Sequence, residues 1–163
     1  MGLRNYLIEG VSGTGKTTVC DALLRRGLHA IHGDRELAYQ GDPKTGAPLE
    51  GAGHVHHIWD VEKVHGLIDD ESHPMTFFCG GSRNFPRFIE RFDTVFVLEV
   101  DRETLIRRLE ARPPDEWGGR ASERAFVLEL HASRADVPRE AVRIDATRPV
   151  EEVVDTLLAH LAE

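Results

Sequence analysis

Two kinds of apolar pattern follow one another along the chain. Short continuous apolar runs, bounded by glycine, proline or charge, predict buried strands at 5–9, 28–32, 74–79, 94–100 and 142–144. Between them, apolar residues recur three and four apart and predict helices. The first spans 16–26, with Val19, Ala22 and Leu23 on one face and Gly27 as its stop. Further helices are expected at 55–70, where Ile58, Val61, Val64 and Ile68 share a face, and at 84–92. The remaining ones are 101–112 with Asp101 as cap, 122–136 with Ser122 as cap, and an amphipathic helix at 150–161. Residues 34–53, with GDPKTGAPLEGAG, and 112–120, RPPDEWGGR, carry neither pattern and predict mobile loops. Regular alternation of strand and helix predicts a parallel sheet covered on both faces, an α/β class three-layer α/β/α sandwich.

Composition narrows this picture. The 163 residues suit one domain, 1–163, and no linker divides them. The net charge of −8, without a Lys/Arg block, argues against a nucleic-acid partner. No apolar run approaches the ~18 residues of a membrane span, so no membrane partner is expected. Gly10 and Ser12 interrupt the N-terminal apolar stretch before a signal-peptide core could form. Tyr6 stands where myristoylation of MGLRNY would need Ser or Thr. Cys20 and Cys79 lie far apart in apolar surroundings and read as reduced core thiols of a cytoplasmic protein. A monomer is the default for this size.

One stretch changes the picture more than any other. GVSGTGKT, from Gly10 to Thr17, satisfies G-x-x-x-x-G-K-[ST] between the first strand and the first helix. A phosphate chain needs several backbone N–H groups aimed at one point, and glycine lets the backbone curl that tightly. The helix opening at Lys16 adds its positive dipole end. Lys16 is placed to reach the β- and γ-phosphates of a nucleoside triphosphate, and the Thr17 hydroxyl to hold Mg²⁺. Ser12, Gly13, Thr14, Gly15 and Thr18 complete the phosphate-binding set. No D-x-x-G stands after the third strand and no N-K-x-D near the fifth, as a GTPase switch would show. The acids near the end of strand four, Glu99 and Asp101, do not make a Walker B group, because Asp101 is explained as a helix cap.

GVSGTGKTT, an aspartate after strand two, FFCGGSRN after strand three, VFVLEVDRETLIRRLEAR and RIDATRPVEEVV occur in one order. In this order the chain resembles the small P-loop kinases of the adenylate-kinase-like, shikimate-kinase-like and gluconate-kinase-like group. The resemblance spans nearly the whole chain. It implies a P-loop NTPase fold with strand order 2-3-1-4-5, ATP and Mg²⁺ as cofactors, an acceptor-binding segment at 34–73 and a mobile lid at about 112–121.

It also suggests site residues. Asp34 stands where these kinases hold Mg²⁺, orient the acceptor hydroxyl or take its proton; a plain turn residue in GDRE is the other reading, and His32 the alternative base. Arg108 and Arg112 have the R-x-x-x-R spacing that precedes the lid, one for the nucleotide base and one for the phosphates, with Arg120 as a further candidate. Asp145 and Thr147 lie in the loop that wraps adenine. Arg83 stands at the acceptor, although Arg83 and Asn84 are also read as helix-capping residues. In GHVHHIWD the three histidines lack a metal-ligand spacing, and Trp59 either stacks on an acceptor ring or packs on the core.

Residues 34–73 contain nine Asp/Glu and three Lys/Arg, with Arg35 the only arginine. An anionic acceptor calls for arginine, so a neutral or cationic one is expected, such as a nucleoside or a sugar. A nucleoside monophosphate kinase is the alternative. A nucleotide-binding regulator or an ATPase without a small acceptor is the alternative of another class.

Overall fold

The computed structural model describes residues 4–50 and 53–161; Gly51 of the predicted loop and the first three residues of MGLRNY lie outside them. In chain order the elements are β1 (Arg4–Glu9), α1 (Lys16–Arg25), β2 (His29–His32), the single turn α2 (Gly33–Glu36), β3 (Ala38–Gln40), β4 (His57–Trp59), α3 (Val61–Asp69), β5 (Met75–Cys79), β6 (Thr94–Glu99), α4 (Arg102–Glu110), α5 (Ala121–Ser133), β7 (Val142–Asp145) and α6 (Val150–Ala159).

Five strands form one parallel sheet in the order β2-β5-β1-β6-β7. Numbered along the whole chain this differs from 2-3-1-4-5, because β3 and β4 intervene as a separate antiparallel pair. Within the large sheet itself, the five strands take the expected relative places.

The period of two along each strand divides the core into two layers. Tyr6, Ile8, Phe77 and Phe96 point to one side, where they meet Val19 and Leu23 of α1, Leu105 of α4 and Leu157 of α6. Leu7, Ile31 and Phe78 point to the other, against Val64 and Ile68 of α3 together with Trp59, Phe88 and Phe92. Both faces are therefore covered, which is why the strands read as unbroken apolar runs.

Four local expectations are corrected. The helix predicted at 55–70 is a 3₁₀ turn (His54–His56), then β4, and then α3, capped by Asp60 accepting from the Lys63 N–H at 3.2 Å. The 34–53 loop is partly ordered as α2 and β3, with Gly41 bridged to Pro48. Residues 84–92 form two 3₁₀ turns, since the Asn84 side chain holds the Trp59 backbone through both its amide atoms, at 3.0 and 2.9 Å, in place of capping a helix. Ser122 is inside α5, whose start is tied instead by Glu123 Oε1 accepting from the N–H groups of Gly118 and Arg120. Asp101 does cap α4, accepting from the Thr104 N–H at 3.0 Å. No helix among the described residues is long and apolar enough to cross a membrane.

Candidate functional site

The loop between β1 and α1 is shaped by glycine. Gly10, Gly13 and Gly15 all have positive φ. A Cβ on Gly13 would stand 2.7 Å from Leu105 Cδ1, and one on Gly10 would stand 2.5 Å from Thr14 Oγ1 and 2.9 Å from the Leu98 carbonyl oxygen. The loop is thus pressed into the core, with the Thr14 N–H turned back to the Val11 carbonyl at 3.3 Å. Thr14 Oγ1 donates to the Val11 carbonyl at 2.8 Å. Lys16 Nζ donates to the carbonyls of Gly10 and Val11. Burial pushes the Lys16 ammonium below its ordinary pKa, opposed by the charges of Asp34, Glu9 and Asp136.

Above this loop lies a cleft of about 680 Å³. The P-loop and the start of α1 line one wall, Arg112 and Trp117 of the lid another, and Asp34, His57, Arg83 and Asp136 the side away from the nucleotide loop. A second lobe of about 490 Å³ opens behind the P-loop, between Thr18, Arg108, Ala146, Arg148 and Pro149. Gly13, Gly15, Thr18 and Arg112 border both cavities.

Asp34 stands on α2 at the carboxyl end of β2, half-exposed to the cleft, with Oδ1 accepting a hydrogen bond from His57 Nε2 at 3.0 Å. Its seat in the cleft would raise its pKa, but the His57 hydrogen bond and the charge of Lys16 outweigh this and hold the carboxyl below its ordinary value. Sequence reasoning set GHVHHIWD beside the acceptor but did not single out His57, because HVHH offers no means of telling one histidine from another. It also missed the most buried acid of the site. Glu9, the last residue of β1, is 1% exposed and lies against Gly81, where an added Cβ would stand 2.9 Å from its Oε1. Burial pushes its pKa from 4.5 up to about 8, against the pull of Arg83 and Lys16.

Arg83 and Asp136 meet beside it. Arg83 Nη1 donates to the Asp136 carbonyl at 2.9 Å and lies 3.5 Å from Oδ2 of the same residue; His54 Nε2 lies 3.2 Å from that Oδ2. Burial would raise the Asp136 pKa, yet His54 and Arg83 together lower it. Asp136 follows α5 in a stretch without any motif, so no sequence signal pointed to it.

The two predicted lid arginines separate. Arg108 donates to the carbonyls of Gly13 and Thr14 at 3.3 and 3.2 Å and to that of Ala146 at 2.7 Å, fastening the P-loop to the loop after β7. Arg112 donates to Ser12 Oγ at 2.7 Å and to the Trp117 carbonyl at 2.6 Å, so it faces the phosphate side. Arg120 holds the Pro114 carbonyl and is exposed.

Other predicted residues lie elsewhere. Arg35 is exposed and is not part of the cleft lining. Trp59 is fully buried and stacks on Phe88 with ring centroids 5.7 Å apart, because the β4 register turns it inward under Gly33 and Gly80; it does not offer a face to an acceptor ring. His32 pairs with Asp21 at 2.8 Å, away from the cleft. Asp145 is engaged locally, accepting from Thr147 N and Oγ1, so these two residues shape the loop whose Ala146, Arg148 and Pro149 line the second lobe. Among the described residues no group of His, Cys, Asp or Glu has the arrangement of a metal cluster.

A family model described as an AAA domain, AAA_18, matches residues 7–127, most of the chain. The chain belongs to this AAA domain family. No curated protein matches its sequence. Solved structures with the same fold include a sugar kinase from Janibacter sp. HTCC2649, at TM-score 0.61 and 19% identity over 98% of this chain and 95% of that one. A gluconokinase from Sinorhizobium meliloti 1021 aligns at TM-score 0.61 and 21% identity, over 98% and 91%. A shikimate kinase from Bacteroides thetaiotaomicron aligns at TM-score 0.64 and 19% identity, over 98% and 99%. The fold of this AAA_18 chain is thus that of the shikimate- and gluconate-kinase-like P-loop proteins, as its motif order indicates, and its P-loop is a nucleotide-binding one.

Proposed function

We propose that the protein is an ATP-dependent phosphotransferase that moves the γ-phosphate of ATP to a hydroxyl of a small neutral or cationic molecule. The observation that carries this reading is the shared cleft: Lys16 of the phosphate loop and the ionised Asp34 line one cavity and act electrostatically on one another. A donor phosphate on the P-loop and a hydroxyl at Asp34 then face each other, which is the arrangement in-line transfer demands. The names of the structural neighbours, a sugar kinase, a gluconokinase and a shikimate kinase, support the same reading.

The roles follow from position. Gly10, Gly13 and Gly15 shape the loop whose amides, with Ser12, Thr14 and Thr18, surround the phosphates. Lys16 and Arg112 stabilise negative charge on the transferring group. Arg108 holds the nucleotide lobe in shape, with the Asp145–Thr147 turn beside the base. Asp34, steadied by His57, orients the acceptor hydroxyl and takes its proton. The Thr17 hydroxyl and the Asp34 carboxylate are hard oxygen donors in the same cavity, suited to Mg²⁺ that keeps most of its ligands as phosphate and water oxygens. That ion would supply charge neutralisation on the phosphates. Transfer to a nucleoside monophosphate is disfavoured, because Arg83, the cation on the acceptor side, is already committed to Asp136.

The test is ADP formation from ATP and Mg²⁺ with a panel of nucleosides, nucleoside monophosphates, sugars and shikimate, beside Asp34→Asn and Lys16→Ala. One acceptor should raise the rate, and both substitutions should abolish that increment. An ADP rate that no acceptor changes would refute the reading and favour a nucleotide-binding regulator.

A further inference from the structure

We propose that Asp136, together with Glu9 and Arg83, forms a recognition site for an amino alcohol, so that the acceptor is an amine-bearing polyol such as an amino sugar or an aminocyclitol. This deepens the kinase reading and rests on it.

The three residues come from distant parts of the chain: Asp136 and Arg83 line the cleft, and Glu9 lies buried against Gly81, another lining residue, close to Arg83. Asp136 is 6% exposed and lines the cleft. Its Oδ2 is occupied by His54 and Arg83, while its Oδ1 is buried without a hydrogen-bond partner among the described residues. Native proteins seldom leave a buried carboxylate oxygen without a donor, and an exception at a cleft marks a place for a ligand. Glu9 has a single weak contact, the Gly10 N–H at 3.4 Å from Oε1. Burial pushes its pKa up to about 8 against the pull of Arg83 and Lys16, so its carboxyl is largely protonated at neutral pH. Arg83 has the opposite deficit: Nη1 is taken by Asp136, but Nε is buried with no acceptor.

An ammonium group answers the first two deficits. It brings three donors and a full charge to two carboxyl groups. A hydroxyl oxygen on a neighbouring carbon answers the third by accepting from Arg83 Nε. The other permanent cations of the cleft, Lys16 and Arg112, lie on the P-loop side. An acidic acceptor would therefore meet the Asp136 carboxylate with only the single Nε of Arg83 left to pair with. A neutral polyol would satisfy Arg83 but bring no charge to the Asp136 carboxylate.

The experiment compares amino sugars and aminocyclitols with their neutral and acidic counterparts, glucosamine, glucose and gluconate being the lead set. Each is assayed for ADP formation with ATP and Mg²⁺. Each is also titrated calorimetrically onto protein loaded with a non-hydrolysable ATP analogue. Amine-bearing members should be turned over best. Asp136→Asn should raise their KM by about 10- to 100-fold, the worth of one charged hydrogen bond, with nucleotide affinity retained. Glu9→Gln should give a smaller loss in the same direction, and it carries the test if Asp136→Asn does not fold. A neutral or acidic member as the best acceptor would overturn the proposal and leave the kinase reading standing. So would an amine-to-neutral preference unchanged in both variants. If no member of any charge class raises ADP formation, the kinase reading fails and calorimetry decides: amine binding that Asp136→Asn removes upholds the site, and absence of amine binding overturns it.

Discussion

Replacing Glu9 by glutamine should make the protein more stable, by an amount that grows with pH. The folded chain holds the Glu9 proton up to about pH 8, whereas the ordinary value is 4.5. Between those values the native state binds more protons than the unfolded state, so stability falls as pH rises. The cost is about 1.4 kcal/mol per pH unit across the window, or about 3 kcal/mol by pH 7. Glutamine keeps the shape and never ionises, so the variant escapes this cost. For a domain of this size, about 3 kcal/mol corresponds to a Tm difference of roughly 6–12 °C. The assay is thermal unfolding of wild type and Glu9→Gln at pH 5, 6, 7 and 8. The other titrating groups contribute nearly equally to both proteins and cancel in the difference. The two should differ least at pH 5, only about half a unit above the ordinary value of 4.5, where the cost is about 1 kcal/mol, and should separate steadily to pH 8. Parallel curves would refute the reasoning. So would a variant less stable at every pH, because Glu9 would then be an ionised partner of Arg83 and Lys16.

Other expectations test the rest of the site. Asp34 is held below its ordinary pKa, so it stays ionised from pH 5 to 8 and should add no acidic limb to the kcat/KM profile in that range; Asp34→Asn should lower kcat by about 10²- to 10⁴-fold, measured by acceptor-dependent ADP release. Gly13→Ala forces φ +93° and a 2.7 Å contact with Leu105, so denaturant unfolding should show a loss of about 1–3 kcal/mol. Arg108→Ala should act mainly on the KM for ATP, and Arg112→Ala mainly on kcat, since the first faces the second lobe and the second reaches Ser12; steady-state kinetics that show the reverse split would undo the assignment.

Much of the frame was legible because its signals are local. The P-loop is a fixed spacing of glycines and a lysine, and the five sheet strands are apolar runs that both faces of the sheet bury. What failed was short or composite. Strands β3 and β4 have three residues each, too few to show alternation. Ile58 and Val61 fall at helical spacing by coincidence, one on a strand and one on the next helix, and Asp60 between them was the unread cap. The i, i+4 spacing put Arg108 and Arg112 on one helix face, but α4 ends at Glu110 and Arg112 lies beyond it, with both residues lining the second lobe. The spacing had no means of dividing their work, which is decided by where the loop after β7 and the lid come to rest. Glu9 did leave a trace, as the one charge ending an otherwise apolar strand that is covered on both faces, in NYLIEG. Asp136 left none, since its role exists only through His54 and Arg83.

These late-found residues complete a circuit around the cleft. Ser12 holds Arg112, Arg112 holds the Trp117 carbonyl, and the Trp117 ring stacks over His54 at 6.1 Å. His54 holds Asp136, Asp136 holds Arg83, and the charge of Arg83 acts on Glu9, which leads back into Gly10. The circuit joins phosphate loop, lid and acceptor wall through polar side chains, and hydrophobic residues in their places would be the more stable choice. A buried acid at the end of the central strand is a net cost to folding. Costs of this kind persist where activity needs the group, and removing them raises stability while it lowers function. A single substitution, Glu9→Gln, therefore joins the two halves of the argument: the variant that melts higher at pH 8 should also be the one that holds an amine acceptor less well.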